Sequence, residues 1–160
     1  SIKTIQTNEL RIGNLIASDI RYNSTSIIGK VLEIGNNERE FEQIYCECAE
    51  SFEWFFKNSY CGIPLTAKWL IKFGFTHVRG NIYKKIIHQM GTTELKALAV
   101  YLDENNYCVA LVDYYTGKEK TELLHLDYQF VHSLQNLYYM FTHTELPFTE
   151  DMLNRYDNDK

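Results

Sequence analysis

Phe130-Val131-His132-Ser133-Leu134-Gln135-Asn136-Leu137-Tyr138-Tyr139-Met140-Phe141 is the stretch on which the fold turns. Phe130, Leu134, Leu137, Tyr138 and Phe141 recur at i, i+4, i+7, i+8 and i+11. That spacing predicts one apolar stripe on a helix from Gln129 to Thr142, about 20 Å long at 1.5 Å rise per residue. Such a helix needs a sheet to cover, and the residues before it offer one. Ala97 to Asp103, Tyr107 to Tyr115 and Glu122 to Asp127 read as strands, joined by turns at Glu104-Asn105-Asn106 and Thr116-Gly117-Lys118. The middle strand is apolar on both faces near its centre, so it belongs inside the sheet.

Further back, Ile63-Pro64-Leu65-Thr66 marks a boundary, since proline restricts its predecessor and Thr66 can cap a short helix from Ala67 to Phe73. Gly74 stands where a left-handed cap is wanted. Val78 to Tyr83 reads as a tight hairpin around Gly80-Asn81. The N-terminal third offers short strands at Arg11–Ile16, Ile27–Ile34 and Phe41–Cys48, with Ala49 to Tyr60 open between strand and helix. The expected fold class is α+β: an N-terminal small SH3-like barrel or bent antiparallel sheet, a short docking helix, an antiparallel meander, and a C-terminal amphipathic helix packed on it. The expected organisation is one compact domain over residues 1–146, barrel-like over 1–62 and helix–meander–helix over 63–146, followed by a tail, 147–160.

The chain has 160 residues, 45% hydrophobic and 23% charged, which is the balance of a globular protein rather than a disordered one. No run approaches the roughly 18 apolar residues of a membrane span. Ser1 to Glu9 lacks the apolar core of a secretory signal, so the four cysteines are expected as reduced thiols of a cytoplasmic chain, with no membrane partner. Aromatic residues are dense, with 12 Tyr, 9 Phe and 2 Trp. They fit a well-filled core or an aromatic binding surface.

Net charge is −5, unevenly spread. Residues 33–53 carry seven acids against one base, residues 57–96 seven bases against one acid, and residues 103–160 eleven acids against four bases. Within the basic segment, Lys68, Lys72, Arg79, Lys84, Lys85 and His88 interleave with Trp69, Phe75 and Tyr83, the ingredients for phosphate contacts and base stacking. A sequence pI near 5.5 argues against a nucleic-acid module.

Three blocks of the chain, Asn8-Glu9-Leu10-Arg11-Ile12-Gly13-Asn14, Ile63-Pro64-Leu65-Thr66 with Trp69-Leu70 and Phe73-Gly74-Phe75, and Val131-His132 with Leu134-Gln135-Asn136-Leu137-Tyr138, resemble those of a family of small uncharacterised bacterial and prophage-associated proteins. The resemblance implies a bacterial or phage origin and no particular activity. The family's third block runs into a glycine that ends the helix, and Thr142-His143-Thr144-Glu145-Leu146 lacks it.

Chemistry is sparse. Cys46 and Cys48 share a strand face and with Cys61 are short of a zinc set, so no metal and no cofactor are expected. Cys108 or Ser133 needs a base such as His125, His132 or Asp127, and no oxyanion motif accompanies them, so no catalytic residue is assigned. On the polar side of the last helix, His132, Gln135, Asn136 and Tyr139 form one ridge, suited to a partner's polar groups or to backbone groups within the fold. The sequence thus points to a non-catalytic binding or accessory module for a protein partner or for self-association, using that ridge. Nucleic-acid or nucleotide binding through 68–88 is the alternative, and a small hydrolase the second.

Overall fold

The computed structural model of the chain describes residues 5, 7–19, 22, 25–36, 42–103, 107–124 and 130–154. Among these residues ten strands and two α-helices, α1 (Ala67–Lys72) and α2 (Val131–Thr142), divide between two units. One unit comprises Ser1–Pro64 with Phe130–Lys160, the other Leu65–Gln129.

In the first unit, β1 (Leu15–Ala17), β2 (Ile28–Asn36), β3 (Glu42–Glu47), β4 (Phe52–Phe56) and β5 (Cys61–Gly62) form an antiparallel sheet in the order β4-β3-β2-β1-β5. The sheet curls into a half-barrel. A bulge between Val31 and Glu33 bends β2 and keeps its apolar side inward. Ile5, Leu10, Ile16, Val31, Ile44, Cys46, Phe55 and Tyr60 fill the concave side, with Phe130 packed against them. The stretch Ala49–Tyr60, open in the sequence, contains β4, and the hairpin closes through the Cys48 amide donating to the Ser51 carbonyl at 2.8 Å.

Helix α2 belongs to this unit and enters it beside β5. Pro64 bridges Phe130, and the Val131 amide donates to the Ile63 carbonyl at 2.9 Å. From there the helix runs against β1. The sequence placed it instead across the meander, within residues 63–146; its stripe is real, with Leu134, Leu137 and Tyr138 buried, yet its first turn is tied to β5. A stripe shows that a helix has an apolar side and does not say which sheet covers it. At its end His143 takes the left-handed conformation (φ 56°) usually left to glycine, its amide donating to the Tyr139 carbonyl at 2.7 Å. Residues 147–154 are more than a tail: Met152 and Leu153 are buried in a 3₁₀ turn (Glu150–Leu153) that touches β2.

In the second unit, β6 (Thr76–Arg79), β7 (Ile82–Met90), β8 (Glu94–Leu102), β9 (Tyr107–Tyr115) and β10 (Lys118–Leu124) run as an antiparallel meander in sequence order. Strand β9 is internal, as expected, with Val109, Ala110 and Val112 buried. The β9–β10 turn has Thr116 at φ 47° and Gly117 at φ 80°, the primed geometry that suits strand twist. Helix α1 begins at Thr66, whose hydroxyl accepts from the Trp69 amide at 3.4 Å, and it buries Trp69 and Leu70. The expected turn at 104–106 lies outside the described residues.

Candidate functional site

Strand β4 reads Phe52-Glu53-Trp54-Phe55-Phe56, and strand alternation sorts it into two faces. Phe55 points inward, 5% exposed, toward Gly29 and Cys46, where a side chain on Gly29 would collide with both. Phe52, Trp54 and Phe56 point outward and are 60%, 42% and 53% exposed. Across the ladder, Trp54 is paired with Tyr45 and Phe52 with Glu47. The Tyr45 ring lies 4.8 Å from Trp54 and 6.1 Å from Phe52, so the rings form one contiguous patch.

The rim of this patch is charged and tied down. Lys30 meets Glu47 at 3.0 Å and lies over the Phe148 ring at 4.1 Å. On the opposite face of the sheet, that of Ile44 and Phe55, Lys57 meets Glu42 at 3.1 Å, and the Thr7 hydroxyl donates to the same carboxylate at 3.1 Å. The bonds from Lys57 and Thr7 hold the Glu42 carboxyl below its ordinary range. At the hairpin end of β4, a cavity of about 530 Å³ opens among Ser26, Ile28, Cys48, Ser51 and Leu153. The register Lys30, Glu47, Phe52 puts Ile28 on the same face of the sheet as the rings. Burial pushes the Cys48 thiol up to about 11, so it is a protonated lining group rather than a nucleophile.

The polar ridge of α2 is turned into the chain. The Gln135 side chain accepts from the Leu15 amide at 2.8 Å and donates to the Gly13 carbonyl at 3.1 Å. Asn136 accepts from the Asn14 amide group and donates to the Glu9 carbonyl, both at 2.8 Å. Tyr139 lies beneath the Arg11 guanidinium, 4.1 Å from the ring centroid, and Arg11 pairs with Glu145. The ridge thus clamps the loop from Glu9 to Leu15, which is the second of the two uses its residue types allow.

His132 is different in kind. It is 1% exposed, and among the described residues neither ring nitrogen has a hydrogen-bond partner. Its ring stacks on Phe130 at 5.6 Å and 13°, over Gly62, where any side chain would meet the Phe130 ring at 2.6 Å. Burial lowers its pKa to about 4, against a smaller upward pull from Glu9. With both nitrogens unpartnered it makes no base–nucleophile pair with Ser133. His125 and Asp127 lie outside the described residues.

The basic segment does not assemble into one face. Lys84 and Lys85 are neighbours on β7 and project to opposite sides. Both border a cavity of about 500 Å³, with Thr76, Leu95, Ala97 and Tyr114. The Lys84 ammonium donates to the Tyr114 hydroxyl at 2.9 Å, which raises its pKa, whereas burial lowers that of Lys85. Lys68 and Lys72 sit on α1, Lys72 5.8 Å from the Trp69 ring; Arg79 and His88 are exposed on β6 and β7. Among the described residues no three of His, Cys, Asp and Glu gather as a metal would require.

No family model, no curated protein and no solved structure matches the chain. The site therefore stands on its own geometry. The residues that sequence reading passed over are Tyr45, Phe52, Trp54 and Phe56. Their signal was present as aromatics at i, i+2 and i+4, but Phe55 between them blurred the alternation.

Proposed function

We propose that the chain is a non-catalytic protein-binding module, and that its contact face is the outer side of β3 and β4. The observation that carries this reading is the exposure of Phe52, Trp54 and Phe56 on one strand face beside Tyr45. Water is a poor environment for such a patch, and contiguous exposed rings mark contact surfaces. Trp and Tyr are the residues that most often anchor protein interfaces. The strand order β4-β3-β2-β1-β5, with a two-residue β5 returning to β1, supports an SH3-like arrangement of the first unit. The resemblance of the three sequence blocks adds, within the same proposal, an association with a mobile element.

Nucleic-acid binding has less support, because Lys84 is engaged with Tyr114 and the lysines of 68–88 are spread over a helix and two strand faces. Hydrolysis has less still: the Cys46, Cys48 and Cys61 thiols are pushed up by burial and His132 has no partner.

The test is capture from an extract of the native host by the immobilised chain and by the double variant Phe52→Ser/Trp54→Ser. The wild type should retain a discrete set of proteins that the variant loses. Equal capture by both would overturn the proposal. A single-stranded oligonucleotide bound by both, with affinity falling steeply as salt rises, would favour the nucleic-acid reading instead.

A further inference from the structure

We infer that the free edge of β4 takes up an extended, basic peptide segment of the partner as a sixth strand of the first sheet. This rests on the protein-binding reading above and adds to it the partner's backbone geometry and its charge.

The backbone of β4 supports strand addition. The Cys48 amide donates to the Ser51 carbonyl at 2.8 Å, and the Lys57 amide to the Glu42 carbonyl at 3.0 Å. In an antiparallel ladder, pairs that exchange such bonds alternate with pairs that do not. The pairs Cys46 with Glu53 and Ile44 with Phe55 fall in step with those two ends. Glu53 and Phe55 therefore turn their amides and carbonyls toward β3, while Phe52, Trp54 and Phe56 turn theirs outward. Strand β4 is last in the sheet, so nothing among the described strands meets that side. The Phe56 carbonyl is taken by the Ser59 amide at 3.0 Å. What remains is the outward backbone of Phe52 and Trp54, borne by two of the residues whose rings are exposed. A strand arriving about 4.8 Å away would find hydrogen bonds and an aromatic wall in the same place.

Charge selects a basic segment. Glu33 is paired in register with Tyr45 and exposed on the ring face; Glu50 is in the hairpin, and Glu53 flanks the free edge from the opposite face of β4. Among the described residues none of these three forms an ion pair, whereas Lys30 on the ring face and Lys57 on the opposite face are already held by Glu47 and Glu42. The surplus around the patch is negative. It attracts lysine and arginine and repels both acidic peptides and phosphate backbones. Exposed edges are normally blunted by charge or proline. Here Glu53 is the only charged residue in β4, and the strand has no proline.

The experiment selects a library of random peptides of roughly eight residues on the full chain, then measures the best of them by fluorescence anisotropy and amide hydrogen exchange. The selected sequences should carry Lys or Arg alternating with β-branched or aromatic residues. Their affinity should fall as salt rises, and exchange should slow at the Phe52 and Trp54 amides. Methylating alternate peptide nitrogens in one phase should weaken binding about tenfold or more, and in the other phase hardly at all, because only one set faces β4. Acidic or proline-rich winners, an even response to methylation, or protection of Phe52 and Trp54 through a concentration-dependent dimer would overturn the inference. If Phe52→Ser/Trp54→Ser loses extract capture but no basic peptide is selected, the protein-binding reading stands and the strand-addition inference falls. If neither responds, both fall.

Discussion

Each unit is built on a five-stranded antiparallel sheet rich in aromatic residues, and one ring cluster on each is held in a different way. On the meander, Tyr101 and Tyr114 lie over a trough of small side chains, Ala99 and Ala110 with Val112, and Lys84 fastens the Tyr114 hydroxyl. On the curled sheet, Phe52, Trp54 and Phe56 face Gln43, Tyr45 and Glu47 across the ladder, with no small residue to lie over. They stand outward. The difference teaches that aromatic abundance says little about a binding surface until the neighbouring strand is known. A cluster of small side chains on the same sheet face, such as Ala99 and Ala110, lets a ring lie down, and where that cluster is lacking the ring stands outward.

The largest expected effect lies at the other edge of the curled sheet, beside β5. His132 has a folded-state pKa of about 4, below its ordinary 6.5. As pH falls through 6.5 the unfolded chain takes up the proton first, so stability is full above 6.5 and drains away down to about 4, a loss of about 3 kcal/mol. Urea unfolding of wild type and His132→Leu at pH 7 and pH 4.5 should show the variant losing distinctly less on acidification. Parallel losses would mean that the imidazole reaches a proton-sharing partner.

Next comes the stowed face. Ala99→Leu would fill the trough and push Tyr101 or Tyr114 outward, at a cost of about 1–3 kcal/mol from overpacking. The check is the shift in urea midpoint together with tyrosine accessibility; no shift would mean that the trough is not what holds the rings down. The smallest effect belongs to the displayed face. Phe52→Ser and Trp54→Ser should each change stability by under about 1 kcal/mol, since exposed positions contribute little to the fold. A loss comparable with that of Ala99→Leu would show that those rings are structural after all.

Much of the fold could be read from residue order. Thr66, Gly74 and the Gly80-Asn81 turn announced α1 and the first hairpin of the meander, because caps and turns depend on neighbours along the chain. The strand choice for Ala97–Asp103 also holds, as β8 covers Glu94–Leu102. The partner of α2 could not be read, since the contact between Phe130 and Pro64 spans the whole second unit in sequence. Strand β5 is two residues long and carries no periodic signal. For the site, the ridge of His132, Gln135, Asn136 and Tyr139 was found as a set, but its direction was not, because amide side chains serve a neighbouring loop as well as a partner. The aromatic strand was missed because Phe55, filling the core from the same five residues, hid the period of two.

The bridge between Pro64 and Phe130 has an evolutionary corollary. The polypeptide leaves the half-barrel and comes back to it through a single doorway, so the meander is a detour hung on adjoining posts. Along the chain the two posts stay side by side whatever length lies between them, and loop-closure cost grows only slowly with added length. Insertions between those posts therefore carry a small closure cost for the first unit.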